Sequence, residues 1–195
     1  MDKNLSWNPY TETLIKKLNT CCYQMIVLRD TIDLKTKIMV YYALFYSIIQ
    51  YCIEFWGIST NANRIFKVQK RFLRIMSFAR QRTSCKLLFR ELNIMTIPCL
   101  YIFKCLMIIK DKYDVIYTDQ HHHSYDTRSK GNLVYPKHKL ALFEHTPKYM
   151  GMKFYDKLPN RIKNISKINV FKNTIKEILM SKNYYSIEEY LVDNW

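Results

Sequence analysis

The sequence predicts a mainly α fold, a bundle of five or six helices with an irregular, basic C-terminal section. Three observations carry this expectation. Apolar residues recur at steps of three and four through several segments, the period of a helix with one buried face. Asn, Asp, Ser and Thr precede those segments, where a side-chain oxygen can cap free backbone N–H groups. Only three glycines occur in 195 residues. That is too few for Gly-rich phosphate loops, dinucleotide-binding turns or many-stranded sheets, which need glycine at special backbone angles. The length allows one domain, and 49% hydrophobic with 24% charged residues is globular rather than disordered.

Each element follows from local signals. Asn8-Pro9 offers a cap and a proline for the first helical position, so a helix is expected from there to about Arg29. Leu14, Leu18, Cys22, Met25 and Leu28 form its apolar stripe. Asp33 can cap a second, largely buried helix from Leu34 to about Trp56, closed by Gly57 in the left-handed conformation. Asn61 or Asn63 can cap a third, running to about Phe78, with Ile65, Val68, Phe72, Ile75 and Met76 on its inner face. Thr83 or Ser84 starts a short helix to about Leu92. Thr96 and Pro98 start another, ending near Lys110–Tyr113. Periodicity fails from about Tyr117 to Tyr149, where His121-His122-His123, Gly131, Pro136 and Pro147 fall. A helix at about Ile168–Ser181 and a last turn capped by Ser186 complete the chain. The expected division is a helical domain at 1–116, an irregular segment at 117–149 and a basic helical unit at 150–195.

The net charge is +15, from 31 Lys and Arg against 16 Asp and Glu, the balance of a chain that meets a polyanion. Lysine, asparagine, isoleucine and tyrosine are all abundant and all have A/T-rich codons, so part of the lysine excess reflects composition. Arginine is more informative. Residues 61–90 hold nine basic side chains and no acidic one, including Arg64, Arg71, Arg74, Arg80, Arg82 and Arg90. Arg64, Lys67, Lys70, Arg71 and Arg74 lie opposite the apolar face of the third helix, which makes that helix basic and amphipathic. Lys148 to Lys182 is a second basic stretch. Both suit phosphate-backbone contacts without base readout.

No self-contained active site is expected. The six cysteines sit mainly in apolar stretches, as reduced core thiols of an intracellular chain without a signal peptide. The longest uncharged run, Ile38–Ile53, is shorter than the ~20 residues a bilayer requires. The three consecutive histidines, with His138 and His145, do not have structural zinc spacing. The acids are scattered, and the adjacent pair Glu188-Glu189 lies in a helical turn rather than a metal-binding cleft. No cofactor and no metal are expected.

Several segments carry a resemblance. MDKNLSW followed by KKLNTCCYQMIVLR resembles the region just after the palm in reverse transcriptases of jockey-type non-long-terminal-repeat retrotransposons. The matching residues are Asp2, Leu5, Trp7, Lys17, Leu18, Cys22, Tyr23, Leu28 and Arg29. YYALFYSIIQYCIEFWG is similar to the family's Tyr-rich helix ending in Trp-Gly, here Trp56-Gly57. Gln69, Lys70, Arg74, Ile75, Leu92, Ile94, Ile97 and Pro98 match its next conserved run. Asp126-Thr127-Arg128, Gly151, Tyr155, Leu158-Pro159 and Ser186-Ile187 resemble its C-terminal elements.

The resemblance implies a thumb-like bundle that grips the backbone of a template–primer duplex. Arg64, Lys67, Lys70, Arg71, Arg74, Arg80 and Arg82 are the expected contacts to RNA or an RNA–DNA duplex. The family's palm, with its paired-aspartate turn, and its endonuclease lie outside the matched region. No catalytic residue transfers, so the fragment is expected not to be an enzyme by itself. The alternative expectation is a relic, or an interaction module that docks on the palm and fingers of a polymerase in trans. That alternative calls for uncovered aromatics near Trp7 and Tyr10. Membrane binding is not expected.

Overall fold

The computed structural model describes residues 7–111, 133 and 135–193, and these are mainly helical. Helix α1 spans Asn8–Leu28. Helix α2 (Leu34–Val40) runs through a π-helical stretch (Tyr41–Tyr46) into α3 (Ser47–Ile49), and α4 is Ile53–Trp56. Then come α5 (Ala62–Met76), α6 (Cys85–Glu91) and α7 (Ile97–Asp111). The C-terminal part holds α8 (Ala141–Glu144), α9 (Pro147–Asp156), α10 (Asn160–Lys163), α11 (Ile168–Lys182) and α12 (Ile187–Val192). The expected helical bundle is present.

Helix α7 is the axis of the bundle. Most of its residues from Ile97 to Ile109 are apolar and buried, with Lys104, Met107 and Ile108 partly exposed along one side, which suits a helix covered over most of its circumference. Two helices flank it antiparallel. Gly151 of α9 sits against Cys105 and Ile109, and Phe154 meets Tyr101 edge-on at 5.8 Å. On α11, Leu179 O accepts from Cys99 Sγ (3.5 Å), while Phe171 lies under the Lys110 ammonium. Side chains of α9, α11 and α12 therefore belong to the same buried cluster as those of α1 to α7.

Helices α1 and α5 pack parallel, not antiparallel. Asn61 reaches Asn8 and Thr11, Arg64 reaches Glu12, and Arg71 reaches Asn19, all at a nearly constant offset along both chains. Leu14, Leu18, Cys22 and Met25 fill this seam as the apolar stripe predicts. On α5 the buried set is Ile65, Phe66, Gln69, Phe72, Leu73 and Met76, with Val68 and Ile75 only partly covered. Gln69 is the polar member of this core. Its Nε2 donates to Tyr41 Oη and Met95 O, both at 2.9 Å, and its Oε1 accepts from Ile97 N at 3.1 Å.

The second helix departs from expectation. Tyr41, Phe45, Ile49 and Ile53 are buried at four-residue intervals, wider than the 3.6 of an α-helix. The under-wound π stretch keeps them on one side. The chain then breaks at Cys52 (φ 52°) and resumes as α4. Gly57 is right-handed (φ −64°), so it is not the left-handed cap. Glycine is needed there for proximity instead, because a Cβ would lie 2.5 Å from Tyr101 Cδ2.

Other caps differ by small steps. The residue before α1 is Trp7, and Asn8 lies inside the helix. Asp33 caps α2 through Thr36 N at 3.1 Å, and Ser186 caps α12 through Glu189 N. Helix α9 has no counterpart among the expected helices; it begins at Pro147, inside the segment expected to be irregular, where Thr146 caps it. The expected irregular segment is irregular at 135–140 and becomes helical at α8; His121-His122-His123 and Asp126-Thr127-Arg128 lie outside the described residues. Among the described residues no helix is long and apolar enough to cross a membrane.

Candidate nucleic-acid interface

The seven basic residues singled out in the sequence do not form one uniform patch. Arg64, Lys67 and Arg71 make an exposed stripe along α5, beside the seam with α1. Arg64 is paired with Glu12, and Arg71 donates to Asn19 Oδ1 at 3.5 Å. Lys67 is exposed and has no ion pair among the described residues. Lys16 of α1 stands one helical turn after Glu12, on the same face of α1, and extends the stripe across the seam.

Two of the seven have structural work. Lys70 is half-buried with its ammonium 4.5 Å from the Phe66 ring centroid and 5.4 Å from that of Tyr185. Burial pushes its pKa down, and the neighbouring charges of Arg74 and Lys67 push the same way. Arg74 Nε donates to Thr83 O at 3.0 Å, which ties the 77–84 loop to α5. Arg80 and Arg82 are exposed on that loop, and neither has an ion pair among the described residues.

The loop begins with an unusual residue. Phe78 has φ 53°, the left-handed region that a bulky side chain seldom occupies. Two bonds fix it there: Ala79 N donates to Arg74 O (2.9 Å) and Phe78 N to Ile75 O (3.4 Å), the paired closure of a helix end. The ring stays outside the core, at 56% exposure, against the Arg29 guanidinium (5.1 Å) and the Lys37 ammonium (4.5 Å). Phe78, Arg29 and Lys37 were not singled out as binding residues in the sequence. Arg29 and Lys37 are far from the arginine cluster in the chain; the parallel packing of α1 on α5 brings Arg29 to it, and the turn into α2 brings Lys37.

The C-terminal basic stretch is partly neutralised internally. Lys153 pairs with Glu144, Lys182 pairs with Asp193, and Lys163 Nζ donates to Asp156 O at 3.0 Å. Lys148, Lys157, Arg161, Lys167, Lys172 and Lys176 remain exposed.

The thiols are not poised for chemistry. All six cysteines are free, and five are buried. Burial pushes Cys22 up to about 11 and Cys99 and Cys105 up to about 12, far from the thiolate range at neutral pH. Among the described residues no group of three or more His, Cys, Asp or Glu side chains could hold a metal ion. His138 is held by Pro136 O and Glu144 and stacks on Phe143 at 5.3 Å, a packing role.

An apolar groove of about 480 Å³ opens near the start of α1. Trp7 stacks on Phe55 at 5.9 Å along its wall, and Ile58, Leu142 and Pro147 complete the lining. Comparison with protein-family models, with curated proteins and with solved structures gives no match.

Proposed function

We propose that this chain binds the phosphate backbone of RNA or an RNA–DNA duplex, as the thumb-like portion of a jockey-type reverse transcriptase, and has no catalysis of its own. One observation supports it most directly. Lys67, Arg71, Arg80 and Arg82 are exposed on one helix and its following loop, within thirty residues that hold no acid. Arg64 and Arg71, the ends of the stripe, are seven steps apart, ~10 Å of helix. That length matches about three steps of a duplex at ~3.4 Å each. The apolar face of α5 is spent on the core, so a lipid surface has nothing to insert.

The test is a salt titration of affinity for a mixed-sequence RNA–DNA duplex. Lys67, Arg71 and Arg82 are changed together to Gln, leaving the Arg64–Glu12 pair and the Arg74–Thr83 tie intact. Binding should weaken, and the slope of log affinity against log salt should flatten by about two to three. Equal slopes for parent and variant would refute the assignment.

A second reading, docking on a polymerase palm in trans, is favoured by the groove at Trp7, where Phe55 is 45% and Leu142 52% exposed. In the family it resembles, the palm precedes the segment that corresponds to Trp7. Calorimetric titration with a palm–fingers polypeptide of a jockey-type element tests this reading. Heat that vanishes in Phe55→Glu supports docking, and no heat with the parent chain removes it.

A further inference from the structure

We infer that Phe78 is a stacking platform for an unpaired base, so that the corner where α1 and α5 end takes a single strand rather than a continuous duplex. This rests on the nucleic-acid reading above and names the strand type that the corner accepts.

The argument starts from what the turn does not need. A left-handed residue closing a helix is ordinarily glycine or asparagine. This chain uses Asn93 and Asn183 at two other such positions. A phenylalanine there costs roughly 1–2 kcal/mol of backbone strain, and its return is contact with Arg29 and Lys37 while 56% of the residue stays exposed. A strained aromatic left more than half exposed is a candidate for contact with something else.

Its surroundings define that contact. Arg29 and Lys37 lie against the ring. Lys37 is 7% exposed and has no ion pair among the described residues, while Arg29 has only its chain neighbour Asp30, at 3.8 Å. Arg29 Nε and Ser77 Oγ are buried without a hydrogen-bond partner. Arg80 and Arg82 follow two and four residues later, exposed. A ring with cations packed over it, 56% of the residue still exposed and free arginines on the loop that follows, suits one nucleotide unit: the base lies on the exposed part of the ring, and flanking phosphates lie on Arg29, Arg80 and Arg82. Bases inside a duplex are already stacked on each other and offer no free face. An unpaired strand does. Asp30 and Asp33 are acids at this corner; Asp30 sits 3.8 Å from Arg29 Nε and Asp33 is engaged in capping α2.

The experiment compares two labelled probes by fluorescence anisotropy: a short oligouridylate, and an abasic phosphodiester oligomer of the same length and charge. The parent should prefer the oligouridylate. Phe78→Asn keeps a residue suited to the turn and removes the ring, and Phe78→Ala removes the ring without adding an amide. Each should lower oligouridylate affinity by about fivefold to a hundredfold and leave abasic binding within about twofold. Phe78→Trp should restore the preference, with indole fluorescence quenched by oligouridylate and not by the abasic oligomer. Equal losses on both probes, or no loss on either, would overturn the inference. A parent that binds both probes alike refutes the stacking role alone; a parent that binds neither refutes the nucleic-acid reading as well.

Discussion

Replacing Gln69 by Leu should destabilise the fold by about 2–4 kcal/mol. The side chain is fully buried and bridges three elements: the π stretch through Tyr41, the 92–96 turn through Met95, and the first turn of α7 through Ile97. Leu fills nearly the same volume but donates and accepts nothing. The Ile97 N–H and the Met95 carbonyl each lose a bond inside the core, at about 1–3 kcal/mol per orphaned group. The Tyr41 hydroxyl can rotate, and its loss is small. Greater apolar burial returns about 1 kcal/mol. The change should lower Tm by roughly 5–15 °C for a chain of this size. Urea unfolding followed by far-ultraviolet circular dichroism measures it, with the m-value required to stay constant. Gln69→Glu is the control. It keeps the acceptor for Ile97 N and cannot donate while ionised. Its folded pKa would be raised by burial, so its penalty sets in as pH rises above the unfolded glutamate value of ~4.3. A Leu variant within about 0.5 kcal/mol of the parent would refute the reasoning, because α2, α5 and α7 would then be joined by apolar packing alone.

Two further outcomes follow from the geometry. In Gly151→Ala the new methyl would meet Cys105 O and Ile109 Cγ1, both at 2.7 Å. The resulting overpacking of about 1–3 kcal/mol exceeds the gain of just under 1 kcal/mol in helix propensity, so thermal melting should show a lower Tm. His138 should titrate above its ordinary value, because Pro136 O and then Glu144 favour the protonated ring. Its contribution is fully present below the unfolded pKa of ~6.5 and fades as pH rises through the raised folded value. An NMR titration should show Glu144→Gln moving that midpoint down.

How much of this was legible in the residues depends on the period each helix follows. Helix α1 has one buried stripe at steps of three and four, and Leu14, Leu18, Cys22 and Met25 give it away. Helix α7 was legible as an apolar helix, but a helix buried over most of its circumference has no narrow stripe that says what surrounds it. The four-residue spacing of Tyr41, Phe45, Ile49 and Ile53 is visible in the sequence, yet it was read as an ordinary buried helix. The break at Cys52 has no local signal, since cysteine is not a left-handed residue by preference. The basic stripe was legible because arginine clusters independently of the lysine background. The division of labour within it was not, because Glu12 and the ring of Tyr185 come from elsewhere in the chain, and Thr83 meets Arg74 only through the path of the loop. Phe78 is legible in the sequence as the end of the third helix but not as a strained residue, since only its backbone angle separates it from an ordinary terminal aromatic.

The parallel seam between α1 and α5 also bears on how the molecule comes to be folded. Two helices adjacent in sequence would turn back on each other through a short loop, and their contacts would be local. Here the residues of α1 meet partners about fifty positions later, such as Asn61 for Asn8 and Arg71 for Asn19. Thr96 bonds to Tyr184 across a still longer separation. Loop closure must precede those gains, so folding should be slower than in an up-and-down bundle of similar helix content. During synthesis α1 emerges before α5 and holds Leu14, Leu18 and Met25 exposed until α5 has been made. Helix α7 in turn waits for α9 and α11, so exposed apolar surface, and with it the tendency to aggregate, persists until the C-terminal helices have been made.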